Sequence, residues 1–173
     1  MNQDFVQASE PGYTYYQRGE QKKIEQILRR GRRLSIIGFF QPLISFVYGL
    51  VIAGVDRKSY IQMMEKKAEE SAALGRIRVI VQNNGSIYRC LQVQQLWSKW
   101  ETQGLYIFFL PKYCSEMNPI KLKWQHLQKN ELAGKMFEDE LELAYAVIHG
   151  VEVRAERRNY TTERVKFNSN QIT

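Results

Sequence analysis

Apolar, uncharged positions run without a break from Leu34 to Val55, between Arg29-Arg30-Gly31-Arg32-Arg33 and Asp56-Arg57-Lys58. The stretch is long enough for a membrane span and has charged flanks. Gln41-Pro42 argues against one, because proline removes a backbone donor and disfavours helix in the residue before it. Ile36, Ile37, Phe39 and Phe40 on one side, and Ile44, Phe46, Val47, Val51 and Ile52 on the other, are strand formers. The pattern predicts two neighbouring buried strands joined at Gln41-Pro42, and no membrane association.

Helical periodicity takes over after Asp56, a capping residue, with Tyr60, Met63, Met64 and Ala68 on one face and Gly75 as the stop. Arg76 to Gln82 reads as a strand and residues 83–86 (NNGS) as a turn. Val93, Leu96, Trp97 and Trp100 repeat at helical spacing up to Gly104. Leu105 to Leu110 is a continuous apolar run, expected to be a central strand covered on both faces. Asn118-Pro119 opens a helix to about Ala133, and Glu138 to Arg157 forms the last, weakened at Gly150. Glu138, Asp139, Glu140 and Glu142 suit a solvated helix start. Near the N-terminus, Tyr13 to Gly19 reads as a short exposed strand or turn. The domain is expected to span 1–158, with a polar, irregular tail over 159–173.

Alternating strands and helices predict an α/β fold with parallel pairing and right-handed crossovers. Ligands of such sheets gather beyond the C-terminal ends of strands. Asn83 and the loop from Pro111 to Lys121 occupy such positions.

Charge then narrows the partner. The 173 residues carry 25 Lys+Arg against 18 Asp+Glu, a net charge of +7. This surplus points to a polyanion, nucleic acid before a membrane surface. Arg18, Lys22, Lys23, Arg29, Arg30, Arg32 and Arg33 concentrate it, opposed locally only by Glu20 and Glu25. Their functional reading is phosphate-backbone contact and their bland reading a solvated loop. Aromatic content of 12% and only four prolines exclude a disordered or collagen-like chain. Cys90 and Cys114 are isolated and suit reduced thiols in the cytoplasm, and no signal peptide is visible in residues 1–10. His126 and His149 have no partner pattern for a metal or a catalytic triad.

Two motifs taken together carry a family resemblance. Residues 81–88 (VQNNGSIY) resemble the V-x-D-N-x-S-x-H stretch of mariner-like bacterial insertion-sequence transposases. Residues 110–124 (LPKYCSEMNPIKLKW) resemble their L-P-P-Y-S-P-E-L-N-P-I-E-x-x-W. The segment from Trp97 to Leu105, and the stretch from Gly12 to Lys22, also fit. The resemblance implies the DDE endonuclease superfamily and an RNase H-like fold: a mixed central sheet flanked by helices. It also implies DNA as substrate, Mg²⁺ as cofactor, and two Asp and one Glu holding the ions. Hard cations prefer carboxylate oxygens, and an ion pair activates the attacking oxygen and stabilises the leaving one.

Residue by residue, the acidic set is degenerate. Asn83 stands at the second Asp position and Lys121 at the Glu position, while Tyr88 replaces His and Lys112 replaces Pro. The first Asp belongs to a first strand expected to be missing or incomplete in an N-terminally truncated domain without helix-turn-helix modules. Asp4 is the nearest carboxylate, and the first Asp is unassigned. A Lys⁺ about 4 Å from a divalent ion repels it by about 2 kcal/mol in water and about 8 kcal/mol at an effective dielectric near 20. The expectation is a catalytically inactive transposase remnant, holding no metal. The alternative is a non-catalytic DNA-binding protein derived from a transposase, with Arg29, Arg30, Arg32, Arg33 and Lys112 on the DNA. Either would be cytoplasmic, nucleoid-associated when on DNA, with a homodimer as the assembly to consider.

Overall fold

The computed structural model describes residues 2–5, 34–52, 54–112, 114–135 and 137–167. The expected strand or turn at Tyr13 to Gly19, and the basic cluster with Arg29, Arg30, Arg32 and Arg33, lie outside the described residues.

The uncharged stretch forms a hairpin of β2 (Leu34–Gln41) and β3 (Ser45–Ile52), paired antiparallel from Leu34↔Ile52 to Gln41↔Ser45. Its turn contains Leu43 at φ 62° and closes with Ile44 N donating to Gln41 O at 3.1 Å. No helix among the described residues is long and apolar enough to cross a membrane. Side-chain alternation divides the hairpin between two cores. Leu34, Ile36, Phe46 and Tyr48 face one, while Ile37 and Val47 face the other.

Where the first strand was expected to be missing or incomplete, a short one is present: β1 (Asn2–Phe5, four residues) pairs antiparallel with β2, Asp4 opposite Ser35. Its sequence, NQDF, has no hydrophobic run to signal it. Backbone bonding to the open edge of β2 sustains a strand that side-chain pattern does not announce. The tail also departs from the irregular reading. Thr161–Val165 forms β6, parallel to β3 from Ser45↔Thr161 to Gly49↔Val165. The order of the resulting four-stranded mixed sheet is β1-β2-β3-β6.

Helices cover both of its faces. On one lies α1 (Arg57–Leu74), started by Asp56, whose Oδ1 accepts from Ser59 N at 2.8 Å, and ended at Gly75 with φ 59°. Beside it lies α2 (Leu91–Thr102). Tyr60, Met63, Met64, Val93 and Trp100 join Ile37 and Val47 in this core. On the other face lie α3 (Ile120–His126), the π-helical turn Leu127–Leu132 and α4 (Glu140–Arg158). Here Phe46 packs edge-on to Trp124, with ring centroids 5.5 Å apart. The acidic start of α4 is a reciprocal cap: Asp139 Oδ1 accepts from Glu142 N, and Glu142 Oε2 accepts from Glu138 N.

The expected parallel pair is β4 (Arg78–Gln82) with β5 (Leu105–Phe109), in register from Arg78↔Leu105 to Gln82↔Phe109. It forms a two-stranded sheet of its own. One face, with Ile80, Leu105, Ile107 and Phe109, packs into the α1–α2 core. Val79, Val81, Tyr106 and Phe108 are exposed on the opposite face, Phe108 at 57%. The reading of β5 as covered on both faces is therefore corrected. A continuous apolar run does not distinguish a two-sided strand from one with an apolar outer face.

Gly150 has a packing role. A Cβ there would stand 2.9 Å from Leu127 Cδ1 and 3.0 Å from Glu131 Cβ, where the π-helical turn presses on α4. Gly150→Val is expected to destabilise the domain by about 1–3 kcal/mol through overpacking. Urea denaturation would show a lower midpoint at unchanged slope, and an unchanged midpoint would show that the π-helical turn yields freely.

Lys123 of α3 is half-buried over Phe40 and Tyr160, and burial, then Arg154 and Arg158, hold its pKa down to about 8 from the ordinary 10.5. Between about pH 8 and 10.5 the unfolded chain thus binds more protons at this site, so its contribution to stability rises with pH across that window. The difference in unfolding free energy between wild type and Lys123→Met should change in that direction over the window. A pH-independent difference would remove the assignment.

Candidate active site

The loops that follow β4 and β5 converge, as expected for the C-terminal ends of parallel strands. Gln82, the last residue of β4, accepts through its backbone oxygen from Leu110 N at 2.8 Å, so both chains leave the ladder together. Asn83 follows at once. The second chain passes Pro111 and the exposed Lys112, makes one 3₁₀ turn at Ser115–Met117, and enters α3.

Asn118 joins the two loops. Its side chain is 5% exposed, its Nδ2 donates to Asn83 Oδ1 at 3.2 Å, and its Oδ1 accepts from Ile120 N at 3.3 Å. Its backbone oxygen accepts from Lys121 N at 3.0 Å, which places Lys121 in the first turn of α3. Lys121 is half-buried there. The two sequence-selected positions, Asn83 and Lys121, are therefore both tied to Asn118. The asparagine-proline helix start marked Asn118 as a cap; its bond across to Asn83 is tertiary and has no sequence signal.

Tyr88, which the resemblance sets at a His position, packs into the core. It is buried beside Tyr60, ring centroids 4.8 Å apart, and Tyr60 Oη donates to Gln82 Oε1 at 3.0 Å. Burial raises the Tyr60 pKa well above the usual tyrosine value, so this phenol stays a donor at physiological pH. Asn84 Oδ1 accepts from Arg89 Nη1 at 2.9 Å, and the Arg89 guanidinium lies 5.0 Å from the Phe109 ring centre. These contacts fix the loop.

A cavity of about 520 Å³ lies beside Ser86 and Ile87, lined also by Cys90 and by Asp56, Arg57 and Lys58 at the start of α1. Sequence reasoning did not link Arg57 and Lys58 to the 83–86 loop, because only the fold brings the α1 start there. Partial burial pushes the Asp56 carboxyl up, but the Ser59 hydroxyl and amide outweigh it and hold the pKa below the ordinary value.

Asp4 sits in β1 opposite Ser35 of β2. Arg29, Arg30, Arg32 and Arg33 lie outside the described residues, whereas Lys112 is exposed beside the converged loops.

The donor set does not suit a pair of divalent ions. Asn83 offers an uncharged carbonyl oxygen already engaged by Asn118, and Lys121 brings a cation where a hard metal wants a carboxylate. No group of three or more His, Cys, Asp or Glu placed to hold a metal occurs among the described residues.

The DDE superfamily endonuclease profile matches residues 3–144, and the chain belongs to this family. Its nuclease domains act on DNA and generally use divalent metal ions. No curated protein sequence matches the chain. The match spans Asp4, Asn83 and Lys121 alike.

The Asn83–Asn118 bond has a measurable consequence. Single alanine variants at the two positions should each destabilise the fold, and a double-mutant cycle should give a coupling of about 0.5–1.5 kcal/mol. Additive single effects would show that the bond contributes nothing.

Proposed function

We propose that this chain is the catalytic domain of a mariner-like bacterial insertion-sequence transposase that has lost its divalent-metal site and no longer cuts DNA. The observation that carries the reading is the tie of Asn83 and Lys121 to the buried Asn118, at the point where the β4 and β5 loops meet. The order of three antiparallel strands, helix, strand, helix, strand and helices supports an RNase H-like fold for it. The family's first Asp stays unassigned; Asp4 in β1 is the nearest carboxylate in the sequence.

Asn for Asp removes one negative charge, and Lys for Glu reverses another. Phosphoryl chemistry of this class relies on metal ions for both the attacking and the leaving oxygen, and the residues present cannot assemble them. What the domain retains is a basic, folded surface. A second reading follows from Lys112 and Lys121: these cations strengthen ground-state contact with a phosphate backbone. In that reading the domain is a cytoplasmic DNA-binding protein derived from a transposase.

The wild-type protein is expected to show no Mg²⁺- or Mn²⁺-dependent nicking or strand transfer on terminal-repeat DNA. Robust cleavage that Asn83→Ala abolishes would overturn the proposal. The paired reversion Asn83→Asp/Lys121→Glu should introduce a Mn²⁺-dependent rise in melting temperature that the wild type lacks. If both proteins respond to Mn²⁺ alike, the metal site was not lost through these two residues.

A further inference from the structure

A second group of cations lies at the far end of the central sheet. α3 and the π-helical turn after it carry Lys123 and Lys129, and the last turns of α4 carry Arg154 and Arg158. Lys123 Nζ donates to Tyr160 Oη at 2.8 Å and stands 4.3 Å from the Phe40 ring centre and 4.0 Å from that of Tyr160. Phe40 immediately precedes the β2–β3 turn, and Thr161 N donates to Ile44 O of that turn at 3.0 Å. The cluster therefore belongs to the hairpin end of the sheet. Asn83 and Asn118 lie where β4 ends and α3 begins.

These groups feel one another. Arg154 and Arg158 both help depress Lys123, after burial. Arg154 is the main cause of the lowered His126 pKa, followed by burial, Arg158, Lys123 and Lys129. No ion pair among the described residues involves any of these four cations. Arg154 Nε is buried without a hydrogen-bond partner. Glu152 and Glu156 share α4 but line an adjoining recess with Asn159 and Thr161.

Glu131 packs against α4 near Gly150, but none of these cations is ion-paired among the described residues; cations gathered in this way repel one another, and a polyanion relieves that repulsion. Arg154 and Arg158 are one turn apart on a single helix face, and Lys123 and Lys129 extend the group along a second element. This spread suits successive phosphates better than one small ion. We infer that Lys123, Lys129, Arg154 and Arg158 form a second contact surface for the phosphodiester backbone of duplex DNA, centred on the last turns of α4 rather than on Asn83 and Lys121. It rests on the reading that the domain still binds DNA, and it assigns part of that binding to the hairpin end.

The test is fluorescence anisotropy with a mixed-sequence duplex, for the full chain, across a salt series. Each lost phosphate contact lowers the slope of log affinity against log salt by about 0.9, so Arg154→Gln/Arg158→Gln should lower it by about 2. Arg158→Gln alone, at an exposed position, should lower it by about 1. Arg154→Lys/Arg158→Lys should keep the wild-type slope, which separates charge from packing. Wild-type affinity and slope in both glutamine variants would overturn the second surface and leave DNA binding intact. No duplex binding by the wild type would overturn both readings, as would binding confined to phosphatidylserine vesicles.

Discussion

Burial of the β2–β3 hairpin on both faces is the constraint on which the rest of the domain depends. Its alternating side chains supply Leu34, Ile36, Phe46 and Tyr48 to one core and Ile37 and Val47 to the other. Each face needs helices to cover it, because apolar surface of this extent is unfavourable in water. α1 and α2 cover one side; α3, the π-helical turn and α4 cover the other. The edges of the same hairpin take β1 and β6.

The site follows from that arrangement. α3 packs through Trp124 on Phe46, which sets where its first turn begins. Asn118 at that start reaches Asn83 at the end of β4 and makes one polar unit of two loops. An amide pair of this kind is stable without ions. A constellation of carboxylates in the same place would repel itself unless metal neutralised it. The Asn83–Asn118 pair is thus held together without a cation.

Much of this was legible from residue order. The uncharged stretch split by Gln41-Pro42 yields the hairpin, Asp56 and Gly75 bound α1, and Val93, Leu96, Trp97 and Trp100 mark α2. Local chemistry determines these elements: a cap needs a side-chain acceptor, and a helix face needs its period. Asn83 and Lys121 were legible through motif spacing. β1 and β6 were not, because NQDF and TTERV owe their strand state to the open edges they pair with. Nor was the exposed outer face of β4 and β5, where an apolar run looks the same whether or not a layer covers it.

Sequence alone determined the hairpin, the helices and the parallel β4–β5 ladder, and it singled out Asn83 and Lys121, since propensity, periodicity and residue identity are local properties. Tertiary structure decided which groups meet. It turned Tyr88 into the core, bonded Asn118 to Asn83, brought Arg57 and Lys58 beside the 83–86 loop, and gathered Lys123, Arg154 and Arg158. Those meetings depend on how layers stack and where strand edges lie open, and both are set by long-range packing that no stretch of the chain encodes by itself.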